Sequence, residues 1–168
     1  MPEKNKLLTA EIAKEKLHRL ALEIAENLEE DTQSILLIGI KKNGMAIAQS
    51  IQVFLQRYIS IAIDIREMTF DKTDLRISNI SGDNDFSGKH IILIDDVSNS
   101  GRTLLYALKP LLEHQPLKIQ TLVMVERMHK LYPIQSDYVG LSIATTQHDY
   151  VSLEVEDGKV VAAFIENQ

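Results

Sequence analysis

The stretch HIILIDDVSNSGRTL (His90–Leu104) decides the fold. Ile91–Ile94 have the length and branching of a strand buried on both faces. Two aspartates follow at once, then a run of small polar residues, and from Thr103 the apolar residues return at helical spacing in TLLYALKPLLE. Strand, turn (Val97–Arg102) and helix make a βα unit, whose carboxyl end is where open α/β sheets hold ligands. The helix N-terminus there presents unpaired N–H groups to an anion. Ser98, Asn99, Ser100 and Thr103 add hydroxyl and amide donors, and Gly101 permits close backbone approach. Val97 to Thr103, Arg102 included, can therefore surround a phosphate, each charge-assisted bond contributing about 1.5–3 kcal/mol. Asp95 and Asp96 would repel a phosphate lying directly on them. They belong one step away, accepting from sugar hydroxyls and sharing a hard cation such as Mg2+. A ribose 5-phosphate satisfies both halves.

Other readings of the stretch fit less well. A Walker A loop needs GxxxxGK[ST], and this segment has neither the first Gly nor the Lys. A receiver domain needs most of a domain after its acidic pair and a further Asp ending a later strand, whereas the next strand here ends Val125-Glu126. A plain αβ turn needs an acidic cap but not two aspartates followed by Ser-Gly-Arg-Thr.

Outward from this unit, strands and helices alternate. TAEIAKEKLHRLALEIAENLEE places Ile12, Leu17, Leu20, Ala21, Ile24 and Leu28 on one helical face, with Thr9 as N-cap. SILLIGI (Ser34–Ile40) reads as a buried strand, and KKNGMAIAQSIQVFLQ as a turn that becomes helical from about Met45. ISIAIDI (Ile59–Ile65) alternates as a strand. From Arg66 to Lys89 the pattern gives way to polar, turn-prone residues, the expected lid. Pro110 is expected to kink or end its helix. KIQTLVMVE and DYVGLSIAT predict strands, and YVSLEV-EDG-KVVAAF a hairpin turning at Asp157-Gly158. The expected fold is α/β: one Rossmann-like domain over 1–168, its twisted and mostly parallel sheet flanked by helices, with a lid near 66–89.

Composition agrees. The chain has 168 residues, 45% hydrophobic, enough for one continuous core. Cysteine is absent, which suits a reducing compartment, and the charged N-terminal stretch does not read as a signal peptide. No apolar run is long enough to cross a bilayer, so the expected location is the cytoplasm, with no membrane partner. The net charge of −6 argues against nucleic acid as the main partner. The five histidines have no metal-ligand spacing.

The acidic pair and the closing Ser-Gly-Arg-Thr resemble the phosphoribosyl-pyrophosphate (PRPP) motif of type I phosphoribosyltransferases. SILLIGIKKNG resembles that family's strand and pyrophosphate loop, and VMVERMHKLYPIQSDYVGLSIAT its base-binding segment. Within the family the chain is most similar to the pyrimidine operon attenuation regulators that double as uracil phosphoribosyltransferases, sharing their opening helix, GIK loop and closing Phe-Ile-Glu-Asn. The resemblance implies transfer of 5-phosphoribosyl from PRPP to a nucleobase, uracil in the first place and a purine as the alternative, with Mg2+ as cofactor. It places Asp95 and Asp96 by the ribose hydroxyls and the metal, and Ser98–Thr103 around the 5-phosphate. Lys41, Lys42, Asn43 and Gly44 fall at the pyrophosphate. Tyr138 is expected to stack on the base, the Val139 backbone to meet its polar edge, and Arg127 to act as ligand or support. It also implies a homodimer or tetramer.

Three departures stand beside it. The pyrophosphate loop reads Lys-Lys-Asn-Gly where the regulators have Arg before the Gly. Asn99 stands where 6-oxopurine enzymes carry a general-base Asp, and Asn cannot abstract a proton. The lid is shorter than theirs. RNA binding is disfavoured by 18 Lys and Arg against 24 Asp and Glu. A PRPP- or nucleotide-sensing regulator with weak catalysis is the alternative to an enzyme.

Overall fold

A computed structural model describes residues 3–167. The apolar runs become a six-stranded sheet of order β4-β3-β2-β5-β6-β7. Its members are β2 (Ser34–Ile40), β3 (Ala62–Phe70), β4 (Ser78–Ile80), β5 (His90–Ser98), β6 (Lys118–Arg127) and β7 (Tyr138–Ile143). All neighbours are parallel except β3 and β4. A second, antiparallel sheet has the order β1-β9-β8, from β1 (Lys4–Thr9), β8 (Asp149–Glu156) and β9 (Lys159–Asn167). The expected extent of 1–168 includes residues 1, 2 and 168, which lie outside the described residues.

Burial on both faces explains why β2 and β5 read as unbroken apolar runs. Along β2, Ile35 and Leu37 pack toward α1 (Ala10–Asn27) and α2 (Lys41–Leu55), while Leu36, Ile38 and Ile40 pack toward α3 (Arg102–Leu112). Thr9 caps α1 as expected, its hydroxyl accepting from the Ile12 amide at 3.3 Å. The β8–β9 turn has φ of 49° at Asp157 and 73° at Gly158, the two positive values a tight I′ hairpin requires.

Four expectations are corrected. First, α2 starts at Lys41, not near Met45. Gly39 and Gly44 carry no Cβ, so the helix begins directly against the strand ends, and a Cβ on Gly39 would lie 2.6 Å from the Met45 backbone. Second, β3 spans Ala62–Phe70 rather than Ile59–Ile65. It follows β2 to the carboxyl end, pairing Met68 with Ile40, and β4 then pairs back on Met68–Phe70. Most of the expected lid is thus ladder or anchored loop. Arg66 is buried, bonded to Asp64 and Asp83, with its guanidinium over Phe86, which fixes the chain after β4. Residues 71–77 form the rim between β3 and β4, a loop closed by the Asp71 amide donating to the Ile77 carbonyl at 2.9 Å. Third, β1 is a strand that the sequence pattern does not predict: KNKLLT shows no alternation, and it pairs with the β9 edge while Leu8 enters the core. Fourth, Pro110 lies inside α3, which runs two residues further to Leu112. No described helix is long and apolar enough to cross a membrane.

Candidate active site

At the carboxyl ends of β2 and β5 lies a cleft of about 760 Å3. Its walls are Lys41–Asn43 from α2, Asp95–Leu104 from the β5–α3 turn, Tyr150–Leu153 from β8, and Leu75 from the rim. The PRPP-like motif and the pyrophosphate-like loop, far apart in sequence, therefore face one space.

The acidic pair sits at its base. Asp95 is 6% exposed, and its carboxylate accepts from the Asp96 amide at 2.9 Å. Burial, and after it the neighbouring Asp96 charge, push the Asp95 carboxyl well above the usual carboxylate range. Asp96 accepts from the Val97 amide at 2.7 Å and from the Asn43 side chain at 2.9 Å. Asn43 also donates to the Leu153 carbonyl at 3.3 Å, so it joins the acidic pair to β8. Lys41 adopts φ 58°, a left-handed backbone that is unusual outside glycine. Gly44 lies behind the wall rather than in it, 2.7 Å from the Ile94 carbonyl measured at a built Cβ.

The turn is shaped for an anion. Gly101, at φ 82°, is the N-cap of α3 and has no side chain to cap it; the Ser100 hydroxyl accepts from the first helical amide, Arg102, at 3.2 Å. The Ser98 hydroxyl is buried in the cleft wall with no hydrogen-bond partner among the described residues. Behind the turn, the amides of Leu131 and Tyr132 donate to the Ser100 carbonyl at 3.1 and 3.0 Å. Ile134 fills the space a Cβ on Gly101 would need. Asn99 reaches across to β8: its side chain donates to the Val151 carbonyl at 3.0 Å and accepts from the Val151 amide at 2.9 Å.

Three expected site residues lie elsewhere. Tyr138 opens β7, at the end of the parallel sheet opposite the cleft; it is 3% exposed and its hydroxyl donates to Gln120 at 3.2 Å. The carbonyl of Val139, beside it, accepts from Arg19 on α1. Arg127 is buried, donating to the Thr145 hydroxyl at 3.0 Å and the Thr146 carbonyl at 2.7 Å, and so it braces the turn into β8 without facing the cleft. The aromatic wall is Tyr150, 43% exposed. Asp-Tyr-Val occurs twice, at 137–139 and 149–151. The resemblance points to the first copy because Gly140 follows it; the second belongs to the hairpin and carries the cleft. The repeat itself is the signal that could have found Tyr150.

A family model described as the phosphoribosyl transferase domain matches residues 4–157. The chain belongs to that family. Proteins described as bifunctional protein PyrR are similar over nearly their whole length. The one from Clostridium novyi is 32% identical, covering 92% of each chain. The one from Oceanobacillus iheyensis is 31% identical, covering 94% of this chain and 93% of its own. Solved structures share the fold: the hypoxanthine phosphoribosyltransferase of Trypanosoma cruzi has a TM-score of 0.75 at 17% identity, covering 94% of this chain and 95% of that one. A hypoxanthine-guanine phosphoribosyltransferase from Bacillus anthracis has a TM-score of 0.72 at 19% identity, covering 97% and 99%. The enzyme is a phosphoribosyltransferase, and its family binds PRPP and nucleobases.

Whether the phosphoribosyltransferase site suits Mg2+ can be judged from its donors. Among the described residues no three His, Cys, Asp or Glu side chains converge on a metal position. Among the residues lining the cleft, Asp95 and Asp96 alone carry carboxyl groups, and side by side they favour positive charge. That suits a cation which keeps its waters and takes its other ligands from substrate phosphates, as Mg2+ does.

Proposed function

We propose that this phosphoribosyltransferase transfers the 5-phosphoribosyl group of PRPP to uracil and releases pyrophosphate, with Mg2+ held at Asp95 and Asp96. The observation that carries the reading is one cleft bounded by an acidic pair, an anion-shaped turn, two lysines and an exposed tyrosine. Val97–Thr103 hold the 5-phosphate, Lys41 and Lys42 face the pyrophosphate, and Asn43 holds the Asp96 carboxylate toward the ribose. When bound, Mg2+ supplies positive charge that offsets the phosphate oxygens. As the C1–oxygen bond breaks, its electron pair leaves with pyrophosphate and positive charge builds on the ribose, which Asp95 and Asp96 beside it stabilise. The acceptor nitrogen forms the new bond to C1, and its proton passes to water. Leu75 on the rim restricts the entry of water that would hydrolyse PRPP. Asn99 has no basic oxygen with which to take a purine proton, which favours uracil. The acidic, cysteine-free chain suits a cytoplasmic role in pyrimidine salvage, and we assign it a homodimer on the family likeness.

The test is PRPP consumption in Mg2+ with uracil, hypoxanthine, guanine, xanthine and adenine in turn. UMP formation is expected to dominate. Failure to bind PRPP by calorimetry in the presence of Mg2+ would sink the reading.

Two tyrosine variants separate the base wall from the core. Tyr150→Ala is expected to raise the uracil KM by about ten- to a hundredfold, since a stacked base contributes roughly 1–3 kcal/mol, with little change in the KM for PRPP. Tyr138→Phe is expected to keep both constants and lose about 1 kcal/mol of stability with its hydroxyl bond. Steady-state kinetics and thermal melts of the two proteins read this directly; the opposite pattern would return the base to Tyr138.

A further inference from the structure

We infer that Asn99 is a positioning residue that fixes the base-facing wall of the cleft by holding the β8 backbone at Val151. The inference rests on the phosphoribosyl reading of the cleft and adds a residue to it. β8 is the outer strand of its sheet, paired only with β9. A strand residue points its N–H and C=O to the same side, so on an outer strand alternate residues have both groups bare. Val151 is such a residue, and the Asn99 carboxamide meets both of its groups, at 2.9 and 3.0 Å. One side chain thereby takes the place of another strand's peptide group.

The Val151 side chain is 1% exposed in the core. β8 is therefore fixed on one face by packing and along its edge by Asn99 at Val151 and by the single Asn43 donation at Leu153, and Tyr150 next to Val151 lines the cleft. Because Asn99 belongs to the β5–α3 turn, the segment that holds the phosphate also sets where the base wall stands. Asparagine suits this role and aspartate does not. An ionised carboxylate has no donor, so in Asn99→Asp the new side chain would accept from the Val151 amide but set its other oxygen against the Val151 carbonyl. The carboxamide here braces the wall, with no proton to abstract.

The test uses the full chain with Asn99→Ala and Asn99→Asp, and two probes, ribose 5-phosphate and UMP. In the unliganded wild type the Val151 amide hydrogen should exchange slowly. In Asn99→Ala it should exchange at least about tenfold faster, the effect expected when one such bond is lost, while Tyr150 and Ser152 keep their rates; Asn99→Asp keeps an acceptor for that amide, and its effect is read in UMP affinity. Titration should show UMP affinity falling about tenfold in Asn99→Ala, a clearly larger loss than that for ribose 5-phosphate, which lacks the base; Asn99→Asp should lower UMP affinity at least as much. Fast exchange at Val151 in the wild type would overturn the inference. Equal losses for both probes in Asn99→Ala, loss for neither, wild-type UMP affinity in Asn99→Asp, or faster exchange across all of β8 and β9 in Asn99→Ala would also overturn it. A wild type that binds neither probe would fail the phosphoribosyl reading instead, and Val151 exchange would then decide the clamp alone.

Discussion

Asparagine in place of both Asp95 and Asp96 should lower turnover by at least about a thousandfold, since loss of even one charge-stabilising group costs roughly 10²–10³, while the chain still folds. Both substitutions keep a side-chain oxygen for the Asp96 and Val97 amides, while the Asn43 donation to the second Asp96 oxygen is lost. What disappears is negative charge beside the ribose and the oxygen pair that suits Mg2+. Pyrophosphate release measured with saturating PRPP and uracil reads the loss; retained activity would contradict the assignment of the pair.

The Asp95 single variant adds a test whose sign is fixed in advance. Burial and the Asp96 charge raise the Asp95 carboxyl in the folded chain above its unfolded value. The proton therefore binds the folded state more tightly. That contribution to stability is complete below the unfolded carboxylate value and is lost as pH rises through the folded one. The carboxamide that Asp95→Asn introduces carries no charge to desolvate. In chelator-treated buffer, Asp95→Asn should therefore melt higher than the parent at neutral pH, and the difference should shrink as pH falls toward about 4, near the unfolded aspartate value. A site that loses activity and becomes more heat-stable through one substitution is held at a cost for its chemistry.

Gly44→Ala should be nearly as damaging, by geometry rather than charge. In a helix the change by itself favours folding by about 1 kcal/mol. Here the new Cβ would lie 2.7 Å from the Ile94 carbonyl oxygen and 3.3 Å from the Gly39 carbonyl carbon. Backbone atoms cannot rotate aside, and overpacking of this kind costs about 1–3 kcal/mol, so the clash wins. Relief requires α2 to back away from β5, carrying Lys41–Asn43 with it. Misplacement of about 1 Å can cost a hundredfold in rate, so PRPP turnover should fall on that scale along with the melting temperature. Kinetics and melts on the purified variant decide; an unchanged kcat/KM for PRPP would mean that α2 does not set the pyrophosphate wall.

Where sequence and structure agree, the physical pattern is local. β2 and β5 declare themselves by continuous apolar runs, the phosphate turn by its small donors, and the hairpin by Asp157-Gly158. Each signal lies within the residues that form the feature. The misplaced features are relational. Tyr138 and Tyr150 sit in the same tripeptide, and only the direction of β7 against the cleft tells them apart. Arg66 reads as the start of a polar loop until Asp64, Asp83 and Phe86 are seen to surround it. β1 has no apolar alternation: its charged half is held by the β9 edge and only Leu7 and Leu8 pack on the core. The early start of α2 depends on Gly39 and Gly44 meeting other segments closely, which a linear pattern cannot express.

The two rims of the cleft differ in how firmly they are tied. Residues 71–77 hang from a short hairpin. The connection after β6 is bonded into the phosphate turn through Ser100 and pressed on Gly101, while buried Glu126 grips Lys130 at 2.6 Å and the Ser136 amide at 3.0 Å. An engineer wishing to graft extra sequence onto this protein, for a sensor or a tether, has room at the first rim and none at the second.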